Sequence, residues 1–241
     1  MKTNKEHRAQ KSYGQAGNAL IYVLIAIALF AALSFTLSRQ TDSGEAGPLS
    51  EERAELYATQ LISYAAQAKS AVDQMVFSGA RIGELDFIDP SDANFNAGTQ
   101  KDRTNRVFHP EGGGLVKGRL PNEVTDQTST TPVAGWYLGR FNNVEWTRGT
   151  DDDVILVAYQ ISQDVCGRIN DKIKGSSAIP VVGTALKTVF IDGSFHVAGN
   201  VDLTTDPSGS PLCADCHEIA SLCVSNAALT EYAFYSVIAD Q

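Results

Sequence analysis

From Ala19 to Leu37 the chain carries no charged residue. At about 1.5 Å per residue, a helix over that stretch spans roughly 30 Å, the thickness of a bilayer's hydrocarbon core. The pattern predicts one membrane-crossing helix, assigned to residues 18–42. Ahead of it Lys2, Lys5, Arg8 and Lys11 stand against a single acid, Glu6. This bias keeps the amino end cytoplasmic and sends everything after Arg39 across the membrane. The apolar run exceeds the core of about 7–15 residues of a secretory signal, and no small-x-small cleavage site follows it. A plain signal anchor satisfies the same pattern.

Residues 43–50 hold Gly44, Gly47 and Pro48, which are poor in helix interiors, and form a hinge. Ser50 then offers an N-cap, with Glu51 and Glu52 in the favourable first turn. Over residues 51–79, Tyr57, Leu61, Tyr64, Ala65, Ala68, Val72, Met75 and Val76 recur at spacings of three and four. That spacing is one apolar face of a second, amphipathic helix, with Gly79 as its stop. Residues 80–134 read as irregular, with Pro90, the glycines at 112–114, Pro121 and a Thr/Ser run at 128–131. The glycine triplet is not a phosphate loop, since no Lys-Ser/Thr follows it.

Residues 135–241 form a β-rich head. Strand signals lie at 135–140, at 144–146 and, most strongly, at 153–161. Val165, Ile169 and Ile173 predict a short helix ending at Gly175. Residues 189–197 read as a hairpin turning at Asp192-Gly193, and the aromatic, β-branched stretch 232–238 as a last strand. A long helix followed by several antiparallel strands is an α+β fold. The chain has 241 residues and a formal net charge of −9. Removing the first 17 residues takes away four bases and one acid, and leaves −12. Nucleic acid and anionic membrane surfaces repel so acidic a head. About 190 residues follow the membrane helix, enough for one well-filled core.

The front edge of the apolar helix is more specific. Gly17 ends the polar leader and Asn18-Ala19-Leu20-Ile21 begins the apolar run at once. This resembles the class III signal of type IV pilins and type II secretion pseudopilins. The resemblance covers roughly the first 40 residues. It implies cleavage between Gly17 and Asn18 by prepilin peptidase, leaving residues 1–17 as a leader. It further implies a single-pass protein of the bacterial inner membrane, its head periplasmic, or extracellular after assembly. Residues 18–42 would be the spine, with Leu20, Ile21, Tyr22, Leu24 and Ile27 packing against other pilin or pseudopilin subunits, on membrane lipid and the inner-membrane assembly platform. The chain departs from the family where Asn18 replaces the usual Phe or Met, and where Tyr22 replaces the glutamate at the fifth mature position. That carboxylate pairs with a neighbour's terminal amine in the family, and an ion in hydrocarbon needs such a partner. Its loss points to a minor subunit, at the tip or in initiation, not a major one.

Four cysteines in an oxidising compartment predict two disulfides among Cys166, Cys213, Cys216 and Cys223. Of three possible connectivities, the preferred one pins the 213–223 loop and uses Cys166 to tie it to the short helix. Cys213, Cys216 and His217 also fit C-x-x-C-H, the attachment sequence of haem c, with His109, His196 or Met75 as second axial ligand. A zinc site would draw on Cys213, Cys216, Cys223 and either Cys166 or His217. A thiol oxidoreductase lacks its surrounding βαβ pattern. Calcium would use Asp151, Asp152 and Asp153, or Asp202 and Asp206, a chemistry some pseudopilins have in a carboxy-terminal loop. Neither cluster has the spacing of a twelve-residue calcium loop, and surface solvation is the preferred reading. No cofactor is therefore expected. No nucleophile motif selects a catalytic triad, so no enzyme is expected either. His109, His196 and the aromatics Trp136, Tyr137 and Trp146 read as structural. The expected function is a minor pilin or pseudopilin-like subunit. The alternatives are a membrane-anchored monohaem electron carrier and an uncleaved, anchored periplasmic binding module.

Overall fold

The computed structural model describes residues 21–31, 34, 50–144, 146–147, 149, 151–191 and 212–240. The chain divides into two compact units, Met1–Pro48 and Leu49–Gln241. In the first, residues 21–31 and 34 are helical, and their side chains are exposed. Among the described residues no helix is long and apolar enough to cross a membrane. The remainder of the span predicted at 18–42, and the hinge up to residue 49, lie outside them.

The second unit is α+β. Helix α1, Glu51–Phe77, occupies the predicted stretch. Ser50 stands at its N-cap position without a side-chain capping bond, and Ser78 ends it, followed by Gly79 at φ 101°. The buried stripe is more alanine-rich than its large residues suggest: Ala54, Ala58, Leu61, Ala65, Ala68, Ala71, Val72 and Met75. Tyr57 and Tyr64 are half-buried, and Val76, expected on this face, is exposed. Small side chains let α1 approach its neighbours closely, because protein cores are packed at the density of organic crystals.

Residues 80–134 are mostly irregular, as expected, but not loose. A 3₁₀ turn at Ile82–Glu84, helix α2 at Gln100–Thr104 and a second turn at Asn122–Val124 punctuate them. Buried Arg106 organises the stretch, donating to Asp86 Oδ2 at 3.0 Å and to the carbonyls of Phe95 and Ala97 at 2.6 and 2.7 Å. The glycine triplet is a close-packing device. A Cβ on Gly113 would stand 2.5 Å from the Val107 carbonyl oxygen and 2.8 Å from Met75 Sδ.

Strands β1 (Gly135–Asn142) and β2 (Asp153–Tyr159) pair antiparallel. Helix α3 (Gln163–Lys174) follows and ends on Gly175, left-handed at φ 70°. Then come β3 (Val181–Val182), helix α4 (Leu186–Phe190), β4 (Ser221–Asn226) and β5 (Tyr232–Ala239). The sheet order is β1-β2-β5-β4-β3, antiparallel except for the short β3–β4 pair. Strand β2 is buried along its whole length because the sheet is covered on both faces. Val154, Leu156 and Ala158 enter a first core with α1 and α3, whereas Ile155, Val157 and Tyr159 enter a second core with α4.

Two sequence expectations fail here. The predicted hairpin at 189–197 begins as helix: Leu186, Val189 and Phe190 follow a helical period and are buried together in the second core. Its turn and second half lie outside the described residues. Of the strand expected at 144–146, Val144 and Trp146 are outside any strand and pack into the second core, and Glu145 lies outside the described residues.

Candidate functional site

The residues expected to carry function fall into three places. Gly17, Asn18 and Leu20 lie outside the described residues. Ile21, Tyr22, Leu24 and Ile27 lie on the helical stretch 21–31, and each is more than half exposed. Val23, Ile25, Leu29 and Phe30 on the same stretch are likewise more than half exposed.

The cysteines form the second place. Cys166 is bonded to Cys223, and Cys213 to Cys216. The sheet keeps the bridges apart: Cys166 and Cys223 belong to the first core, Cys213 and Cys216 to the second. The four sulfurs therefore do not converge as a zinc site requires. With the sulfurs of Cys213 and Cys216 bonded to each other, neither thiol is available to a haem vinyl group. Met75 and His109 are not placed to be the second axial ligand either. Met75 is buried in the first core, and His109 packs against Phe95 while its Nδ1 accepts from the Glu111 amide at 3.1 Å. His196 lies outside the described residues. His217 meets the edge of Trp146, with centroids 5.9 Å apart.

The acidic run at the β1–β2 turn is the third place, and here the expectation of surface solvation is corrected for one member. Asp151 is exposed and Asp152 half-buried, but Asp153 is fully buried. Its Oδ2 accepts from the Val144 amide at 2.8 Å and from Thr147 Oγ1 at 3.0 Å, so the carboxylate shapes the turn. Among the described residues no group of three His, Cys, Asp or Glu could hold a metal ion. Asp202 and Asp206 lie outside them.

Sequence reasoning missed a buried polar residue that ties α3 to β4. Asn170 on α3 is fully buried. Its Nδ2 donates to the carbonyls of Cys223 and Ala178 at 2.8 and 2.9 Å, and its Oδ1 accepts from the Cys223 amide at 2.8 Å. One side-chain amide thus takes both backbone groups of a β4 residue, as a neighbouring strand would. The signal was present: Asn170 follows Cys166 by one helical turn, so it shares the buried face with Val165 and Ile169.

Among the described residues, hollows on the surface of the second unit include a groove and a cleft. A shallow groove of about 700 Å³ runs along the outer side of α1 past Lys69, Asp73 and Gln74 to the exposed Phe77. A cleft of about 480 Å³ lies between the end of α1, Lys101, Glu111 and the glycine triplet. Neither gathers a nucleophile, a base and an oxyanion donor at catalytic separations. Ionisation follows local contacts. The Lys117 ammonium, with the Ser91 amide, holds the Asp89 carboxyl down to about 2. Burial first, then the neighbouring Glu231 carboxylate, pushes the Tyr159 phenol well above its usual range.

No protein family, curated protein or solved structure matches this chain.

Proposed function

We propose that the chain is a minor pilin or pseudopilin-like subunit, an assembly component rather than an enzyme, stored in the bacterial inner membrane by its apolar spine and drawn from there into a filament. The observation that carries this reading is the apolar run that begins directly behind Gly17, and α1 supports it. A 27-residue helix follows the apolar amino-terminal stretch in sequence and lays an alanine-rich face on an antiparallel sheet. A spine running from lipid into a folded head needs this combination: one end apolar all round, the other apolar on one side only. Tyr22, in place of an ionisable residue, leaves nothing to neutralise the amine of a subunit ahead, which suits a tip or initiating position.

The deciding experiment is mass spectrometry of the amino terminus of protein made in its native membrane. A chain beginning at Asn18, and retention of the leader in Gly17→Leu, are the expected results. A chain beginning at Met1 would make it an anchored binding module. A Soret band, or peroxidase activity surviving denaturation, would make it a haem carrier through Cys213, Cys216 and His217.

A further inference from the structure

Strand β4 is paired unevenly. On one side it meets β5 from Ser221 to Ser225, but on the other β3 reaches only Ser225 and Asn226. At Cys223, therefore, no strand among the described residues pairs with the outer edge of the sheet, and α3 takes the place of one. Asn170 satisfies both backbone groups of Cys223, and the Cys166–Cys223 disulfide fixes the same helix to the same residue one turn away. All three residues are fully buried. The opposite side of α3 faces the beginning of α1. Arg168 pairs with Glu51, and Lys172 Nζ lies 2.9 Å from Glu55 Oε1. Successive turns of α3 thus engage successive turns of α1 in the same order, so the two helices start in parallel. Hydrogen bonding to Lys172 holds the Glu55 carboxyl below its ordinary pKa.

We propose that α3 is a redox-locked brace. Closing the Cys166–Cys223 bridge fixes α3 on the sheet edge, and α3 then holds the first turns of α1, where the head begins, through Arg168 and Lys172. The chemistry is thiol–disulfide exchange with a disulfide-carrying oxidant of the exported compartment. The two cysteine thiols lose two protons and two electrons, one S–S bond forms between them, and the oxidant's own S–S bond is reduced to two thiols. Because both sulfurs are sealed in the first core, exchange takes place before α3 docks, and the finished bridge is shielded from reductant. In a reducing compartment the brace rests on Asn170 and packing alone. The device goes beyond the assembly role proposed above, and it stands whether or not the chain enters a filament.

Hydrogen exchange on the full-length protein in detergent tests it, read separately over residues 51–58 and 61–75 of α1. Arg168→Ala/Lys172→Ala, with the bridge intact, should speed exchange at 51–58 by about three- to tenfold and leave 61–75 unchanged, since exposed ion pairs are individually weak. Cys166→Ser/Cys223→Ser should speed exchange in α3 and at 51–58 by tenfold or more. Cys213→Ser/Cys216→Ser should leave 51–58 as in the parent. Unchanged exchange at 51–58 in the first two variants, or equal acceleration over the whole of α1, overturns the brace. Should Cys166→Ser/Cys223→Ser fail to fold, Arg168→Ala/Lys172→Ala decides alone: no acceleration at 51–58 overturns the proposal.

Discussion

Asn170 places a neutral amide where a hydrocarbon side chain would be expected, and the reason is the unpaired backbone of β4. Replacing it with Leu would strand the amide and carbonyl of Cys223 in a dry interior. Each buried polar group left unsatisfied costs about 1–3 kcal/mol. Asn170→Leu should therefore destabilise the protein by roughly 2–4 kcal/mol, measured as a lower urea midpoint with an unchanged slope. Asp89 governs a smaller, pH-dependent contribution. Its carboxyl titrates near 2 in the fold against an ordinary 3.8, so the unfolded chain takes up the proton first as pH falls. The stabilisation from Lys117 is thus complete above about pH 4 and disappears as pH drops toward 2. Both side chains are 39% exposed, which limits the effect to under about 1 kcal/mol. Lys117→Met should flatten this part of the acid limb in denaturation curves taken between pH 4 and 2.

At the scale of elements, the two disulfides do different work. The Cys166–Cys223 bridge spans 57 residues, and the Cys213–Cys216 bridge spans three. Loop-closure entropy assigns about 4 kcal/mol to the first and about 1.5 kcal/mol to the second. Thermal unfolding of Cys166→Ser/Cys223→Ser and Cys213→Ser/Cys216→Ser should show the larger loss for the first pair; equal losses would refute the entropic account. Helix α1 provides a matched pair of sites. Ala58 is fully buried and Ala68 likewise, whereas Gln67 beside it is exposed. Enlarging a packed alanine forces neighbours off their rotamers at a cost of about 1–3 kcal/mol. Ala68→Leu should lower the melting temperature accordingly, while Gln67→Leu should leave it nearly unchanged. On the outer side of α1 Phe77 is already displayed in full, although Lys69 reaches from there to the Ile238 carbonyl at 3.1 Å.

For the whole molecule, the reading as an assembly subunit makes a charge prediction. Loss of the basic leader shifts the net charge from −9 to −12, so the processed chain should focus at a more acidic position than its precursor. Isoelectric focusing of protein made with and without active prepilin peptidase measures that shift. Local pattern was enough to reveal α1, the helix that ends at Gly175, the strongly apolar β2 and the closing β5, because helical and strand periods are written in neighbouring residues. It also revealed the α+β class. It misplaced residues 186–190, where a short apolar run fits strand or helix equally until the second core selects the helical face. It took Asp153 for surface because charge in a loop is usually solvated, and only the closure of the β1–β2 turn buries that carboxylate. The amino-terminal apolar run and its glycine boundary are properties of sequence alone, and the proposed function rests on them. The division of four cysteines between two faces of one sheet, and the use of Asn170 as a stand-in strand, depend on which distant segments meet. Those meetings were decided by burial over the whole fold, which no stretch of neighbouring residues encodes.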